Sequence, residues 1–293
     1  MKLYDLLAQV LETKYDISKF QIFPENIDAY ANIDTSLPLR VYLESTRIDG
    51  YYDYKLSDSF SIIDNIFSKT PNNDKAFQLF VKYIRRRIVP KLITKRSKQH
   101  YPGEITVIGL GGVGFNLLYN LYRLRKFGLT KWNPKIKVYE DDCLEWHNIP
   151  RLPIQYPVFD SEHCKIEYAK YLKEYLNIRF YKKRWSLKDY DGSIVIGAPD
   201  LRTRREIVEN NIPHLFILHQ NDEFYIKRYK TYHTLPITET YGTIDVCVLA
   251  FGVLIATLLL PYLFKKEDVD ITYKPRELFG KIVEIEGYKF ELE

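Results

Sequence analysis

The feature that most constrains this chain is the run Gly109-Leu110-Gly111-Gly112-Val113-Gly114. It carries a GxGxxG spacing between a short apolar stretch, residues 104–108, and a segment with helical apolar spacing, residues 112–126. Strand, glycine loop and helix in that order open a βαβ unit. Glycines let the chain turn tightly and let a ligand approach the backbone. The helix N-terminus adds free amides and the positive end of a dipole, which suits phosphate. A unit of this kind commits the chain to a largely parallel sheet with helices on its faces.

The sequence after residue 103 keeps that rhythm. A second strand is expected over 135–139 and a second helix over 162–176. Strands follow over 178–181 and 193–196, then a helix over 201–210 and a strand over 214–218. This alternation predicts an α/β fold with a Rossmann-like, doubly wound sheet over residues 101–293. Residues 224–229 begin a region whose pairing is open, and 281–293 read as a hairpin turning at Glu286-Gly287. Residues 1–100 read as an additional N-terminal α+β region, a candidate clamp for a substrate or partner. Short strands over 39–43 and 51–56 flank the turn signal Asp49-Gly50. Residues 73–98 have a helical pattern, with Phe77, Phe80, Val81, Ile84, Ile88 and Leu92 on one side. Pro90 is expected to kink or divide that helix, and Tyr101-Pro102-Gly103 reads as a linker.

Of the 293 residues 46% are hydrophobic, enough for a sizeable core and against disorder. The net charge of +5 suits an anionic ligand or an acidic protein partner and does not demand nucleic acid. Arg85-Arg86-Arg87 accordingly reads as a solvated basic face. The three cysteines, Cys143, Cys164 and Cys247, form no CxxC pair. That pattern argues against a zinc ribbon or disulfide framework and for a reducing, cytoplasmic location. No signal-peptide pattern opens the chain. Residues 246–264 carry no charge, and their length approaches the ~20 residues of a membrane span. A buried helix is expected there instead, because losing it would strip one face of the sheet.

An acid at the end of the second strand holds ribose hydroxyls in such folds, and Glu140 stands there. The loop and this acid alone would also serve an NAD(P)-dependent oxidoreductase. Three further groups of residues decide against that. Glu140-Asp141-Asp142 leads without a gap to Asn148 and Arg151. Lys165 opens the next helix with Ala169 four residues on. Asp200 follows the fourth strand, with Arg205 after it.

In this order they resemble the ThiF/MoeB/E1-like (ubiquitin-activating-like) adenylating enzymes over roughly residues 104–265. The resemblance implies that Gly109, Gly111, Gly112 and Gly114 cradle ATP with Glu140 and Asp142, Glu140 on the ribose. It implies that Asn148, Arg151 and Lys165 contact the triphosphate, that Asp200 holds Mg2+, and that Arg151, Lys165 and Asp200 are catalytic. The chemistry agrees. Adenylation has an ionised carboxylate attack the α-phosphorus while pyrophosphate leaves. Carboxylates have reference pKa values of roughly 4, so no general base is needed. The difficulty is charge, and arginine, lysine and a metal ion offset it. Asp200 also suits the N-cap of the helix that follows it.

The expected function is therefore ATP- and Mg-dependent adenylation of a protein or peptide C-terminus or a small acid. The alternatives are a catalytically silent E1-like subunit that binds nucleotide or a partner, and an NAD(P)-dependent oxidoreductase. A homodimer and a peptide or ubiquitin-like protein substrate are expected, with no nucleic acid and no membrane. Several positions depart from the family pattern. The ribose acid is Glu140 rather than Asp, Leu152 stands in place of glutamine and Leu201 in place of asparagine. Zinc-binding CxxC pairs are missing, and residues 238–244 hold no cysteine. The last departure implies a reaction without a cysteine thioester.

Overall fold

The computed structural model describes residues 32–34, 38–40, 43–48, 51–56, 73–93, 97–144, 152–153, 164–220, 223–232, 246–279, 282–285 and 288–291. Within the first 100 residues, β1 (Asn32–Asp34) pairs with β2 (Pro38–Arg40), and β3 (Leu43–Ile48) pairs with β4 (Tyr51–Leu56), all antiparallel. The expected strand over 39–43 is thus displaced. Ile48 stands opposite Tyr51, so the residues that flank the Asp49-Gly50 turn signal are the ones that pair; Asp49 and Gly50 themselves lie outside the described residues.

Helix α1 (Asn73–Tyr83) runs through a π-turn (Ile84–Ile88) into α2 (Val89–Leu92). Pro90 lies in the first turn of α2 and has no amide to give. The wider turn ahead of it absorbs the missing hydrogen bond. The helix stops at Leu92 rather than near Lys98, because Ile93 adopts an extended backbone. Phe77, Phe80, Val81, Ile84 and Ile88 are buried in the main core.

A seven-stranded sheet follows, made of β5 (Glu104–Ile108), β6 (Lys135–Tyr139), β7 (Asn177–Tyr181), β8 (Ile194–Gly197), β9 (His214–Gln220), β10 (Glu223–Lys227) and β11 (Asp270–Tyr273). Its order is β11-β10-β9-β8-β5-β6-β7. The five strands from β9 to β7 are parallel, and β10 and β11 are antiparallel. The expected parallel sheet is therefore mixed at one edge. Two residues separate β9 from β10, and so short a connection reverses the chain. The intervening helices are α3 (Gly112–Lys126), α4 (Lys165–Ala169), which continues as a 3-10 turn (Lys170–Glu174), and α5 (Leu201–Glu209). Beyond β10 lie α6 (Val246–Leu263), α7 (Pro275–Phe279) and the hairpin β12 (Ile282–Ile285)–β13 (Tyr288–Glu291).

Strand alternation divides the core between the two faces of the sheet. Ile105, Val107, Ile196, Leu215 and Ile217 face α3 and α6, while Ile108, Val195 and Phe216 face Ile207 and Val208 of α5. Helices on both faces make this a Rossmann-like, doubly wound α/β fold. Helix α6 is apolar along most of its circumference because most of it is enclosed: Leu249, Val253, Ile255, Ala256, Leu259 and Leu263 have no exposed surface. Among the described residues no helix is long and apolar enough to cross a membrane. The expected linker at 101–103 is pinned rather than loose. Trp132 Nε1 donates to Pro102 O at 2.8 Å, and Lys135 N donates to Gly103 O at 2.8 Å.

Where α6 crosses β10 and β11, the Tyr273 hydroxyl donates to Gly252 O at 2.8 Å. A Cβ on Gly252 would sit 2.2 Å from the Phe224 ring, which is fully buried and stacked on Tyr273. Gly252→Ala is expected to destabilise the protein by about 3 kcal/mol through overpacking. Combining it with Phe224→Leu should recover part of that loss in urea unfolding curves, since the three atoms nearest the added methyl group all belong to that ring.

Candidate functional site

The sheet register brings the candidate residues to one edge. Ile108 at the end of β5 stands opposite Tyr139 at the end of β6 and Gly197 at the end of β8. Tyr139 in turn stands opposite Tyr181 at the end of β7. The chain segments leaving these four parallel strands therefore emerge side by side at the carboxyl edge, where ligands bind in open α/β sheets.

The glycine loop leaves β5 and is fastened to its neighbour, with Gly109 N donating to Tyr139 O at 2.9 Å. Gly111 is the N-cap of α3 and brings no side-chain cap. The intrahelical ladder begins with Phe115 N donating to Gly111 O at 3.0 Å. The amides of Gly112, Val113 and Gly114 therefore have no partner within the helix, as at any helix start. Nothing stands within 4 Å of where a Cβ of Gly111 would be. Open space above an uncapped helix N-terminus is the shape an anion needs.

Glu140 reaches under this loop. Its Oε2 accepts from Leu110 N at 2.5 Å and its Oε1 accepts from Asp142 N at 2.9 Å. The residue is only 4% exposed. Burial pushes its carboxyl above the usual range, opposed by the Lys165 ammonium and by the two amide donors. Lys165 opens α4 and is itself 6% exposed. Its Nζ lies 2.9 Å from Asp142 Oδ2 and 4.0 Å from Glu140 Oε2. The expected helix over 162–176 starts only here. Cys164 is drawn into an isolated antiparallel bridge with Cys143 and keeps an extended backbone, so it stands as the N-cap and the described helix begins at Lys165; residues 162 and 163 lie outside the described residues.

Asp200 caps α5. Its Oδ1 accepts from Thr203 N at 3.0 Å, and its Oδ2 accepts from Thr203 Oγ1 at 2.9 Å and Arg184 Nη2 at 2.6 Å. Burial favours its neutral form, but the Thr203 donors and Arg184 outweigh that and hold the carboxyl below its ordinary value. Arg184 was not among the residues expected from sequence. Its hydrogen bond to Asp200 raises its own pKa, and the charges of Asp141 and Asp142 add to this. One guanidinium from the segment after β7 thus holds the carboxylate at the end of β8. The signal in the sequence is Lys182-Lys183-Arg184, a basic run directly after a parallel strand.

The structure thus brings together the glycine loop, Glu140, Asp142 and Lys165, with Asp200, held by Arg184, at the end of β8 on the same edge of the sheet. Asn148 and Arg151 lie outside the described residues. Leu152, which departs from the family glutamine, is 3% exposed and belongs to the main core. Ala169 is fully buried, whereas Arg205 is exposed near the Tyr232 ring. The carboxylates of Glu140, Asp141 and Asp142 place oxygens within 4.8 Å of one another.

No family model matches this sequence, and no curated protein matches it. Solved structures similar to the chain include Escherichia coli MccB with AMPCPP and MccA, at 12% identity and a TM-score of 0.44 over 72% of this chain and 71% of that one. E. coli MccB with ATP gives 13% identity and a TM-score of 0.42 over 77% and 88%. E. coli tRNA N6-threonylcarbamoyladenosine dehydratase TcdA in complex with AMP gives 15% identity and a TM-score of 0.38 over 71% and 96%.

Proposed function

We propose that this chain is an ATP-dependent adenylating enzyme that activates a carboxylate and releases pyrophosphate. The observation that carries the reading is the buried pair Glu140 and Lys165, with Asp142 fastened to Lys165, set against the uncapped N-terminus of α3. A nicotinamide dinucleotide needs the loop and the ribose acid. Hydride transfer has no use for a buried lysine fixed beside them or for an arginine held on the acid of the neighbouring strand. A leaving pyrophosphate has use for both, because charge grows on it in the transition state.

In this reading Gly109, Gly111, Gly112 and Gly114 pass the phosphates, and Glu140 takes the ribose hydroxyls. Lys165, Arg151 and Asn148 hold the triphosphate, with Asp142 fixing Lys165. Asp200 remains ionised and 41% of its side chain is exposed. It would exchange Arg184 for Mg2+, and Asp141 and Asp142 offer further oxygen donors suited to a hard cation. Bound Mg2+ would neutralise charge on the phosphates. The substrate carboxylate would be a peptide C-terminus, that of a ubiquitin-like protein included, or a small acid. Residues 1–100 would clamp it, in a homodimeric cytoplasmic enzyme.

The acyl group would stop at the adenylate or pass directly to an amine, water or an external thiol. Cys164 is 1% exposed, and burial pushes its thiol up. Cys143 follows a run of three acids.

The test has two parts. Calorimetry should show ATP binding and no NAD binding. Exchange of radiolabelled pyrophosphate into ATP should then appear with a pool of peptides bearing free carboxyl termini and vanish with the amidated pool. Arg151→Ala and Asp200→Ala should each lower exchange at least about 100-fold, as loss of one charge-stabilising group does elsewhere. Binding of NAD but not ATP would overturn the reading. Binding of ATP with no exchange would leave a silent nucleotide-binding subunit.

A further inference from the structure

Cys143 and Cys164 stand at the two ends of the segment that carries Asn148 and Arg151. Their backbones meet as an antiparallel bridge, Cys143 opposite Cys164. The hydrogen bond beside it runs from Lys165 N to Asp142 O at 3.2 Å, between the flanking residues. The cysteines are therefore a non-hydrogen-bonded cross-strand pair. In such pairs the Cα atoms approach to about 4.5 Å and the two side chains leave on the same face. A disulfide requires Cα atoms roughly 4.4–6.8 Å apart. Both residues are free thiols. Cys143 is exposed and can meet a reagent, while Cys164 is enclosed, its Sγ 3.4 Å from Asp142 O.

We propose that Cys143 and Cys164 form a redox-active pair that small-molecule disulfides convert reversibly into an intramolecular disulfide beside the Asp142–Lys165 ion pair. The steps balance as thiol–disulfide exchange. The Cys143 sulfur attacks glutathione disulfide, forms a mixed disulfide and releases one glutathione. The Cys164 sulfur then attacks the Cys143 sulfur and releases the second. The protein loses two protons and two electrons, and one glutathione disulfide becomes two glutathione thiols. The new bond joins the residue after Asp142 to the residue before Lys165, so it staples the two segments that the ion pair already links. The division of labour follows from exposure: the outer thiol meets the oxidant and the inner one resolves the adduct.

The full-length protein is incubated with excess glutathione disulfide and then read by intact mass and by non-reducing peptide mapping. These readings do not depend on any nucleotide chemistry of the site. The expected product weighs two hydrogens less than the reduced protein, contains one cross-linked peptide pair joining Cys143 to Cys164, and reverts fully in dithiothreitol. Cys164→Ser should instead keep one glutathione on Cys143, because the resolving sulfur is gone. Cys143→Ser should leave Cys164 unmodified in the folded protein. Persistence of a Cys143–glutathione adduct in the wild-type chain, a cross-link to Cys247, or no reaction would overturn the proposal. The wild-type result decides the matter even if a serine variant fails to fold.

Discussion

Lys165→Met is expected to remove nucleotide binding and, separately, to destabilise the fold in a pH-dependent way. Methionine keeps much of the volume but not the charge. Asp142 can turn to water, because 66% of its side chain is exposed. Glu140 cannot, being 4% exposed and held by the amides of Leu110 and Asp142. Removing one partner of a buried pair costs about 3 kcal/mol, because the other charge stays buried and unpaired. The sign with pH follows from Glu140. Burial already raises its folded pKa above the unfolded value, and loss of Lys165 raises it further. A carboxyl raised in this way is tolerated while protonated and penalised once ionised. The deficit of the variant should therefore be small near pH 5 and grow as pH rises towards 8. Urea unfolding at the two pH values checks this. Glu140→Gln added to Lys165→Met should restore most of the stability at pH 8 without restoring nucleotide binding. A deficit independent of pH would show that packing, not charge, is what Lys165 supplies.

Gly114→Ala and Gly111→Ala should separate the structural demand of the loop from its functional one. A Cβ on Gly114 would lie 2.0 Å from Gly109 O and 3.1 Å from Gly109 C. Both are backbone atoms of the loop, and Gly109 is fastened to Tyr139. No side chain can move aside, so helix and loop must part. We expect a loss of about 3 kcal/mol together with loss of nucleotide binding. Gly111 has a φ of −72° and nothing within 4 Å of its added methyl. Its replacement should cost no more than about 1 kcal/mol, the difference between glycine and alanine at an N-cap. If phosphate passes over Gly111, ATP affinity should nonetheless fall at least tenfold while the melting temperature barely moves. Calorimetry with ATP and thermal unfolding of both variants give the two readings.

The elements legible in the sequence are those whose signals are local. The strand Glu104–Ile108, the helix Gly112–Lys126 and the strand Lys135–Tyr139 lie where apolar spacing and glycine punctuation place them. The terminal hairpin Ile282–Ile285 with Tyr288–Glu291 likewise follows from its turn signal. Boundaries governed by partners elsewhere in the chain were not legible. Cys164 stays extended because it bridges Cys143. Asp49-Gly50 was readable as a turn, but the bounds of its first strand were set by pairing with Tyr51–Leu56.

The candidate site divides in the same way. Residue order alone determined a glycine loop at a helix start, an acid after the second strand, a lysine opening a later helix and an aspartate at an N-cap. Each of these is a relation between near neighbours in sequence. Only the tertiary structure decided that Glu140 is locked beneath Leu110, that Lys165 is enclosed against it, and that Arg184 holds Asp200. These relations span 16 to 30 residues and depend on strand register, which brings the ends of β5, β6, β7 and β8 to one edge. The physical reason is that a charge has no fixed role until its solvation is known. Lys165 read alone is an ordinary solvated helix lysine; burial against two carboxylates is what makes it part of a site.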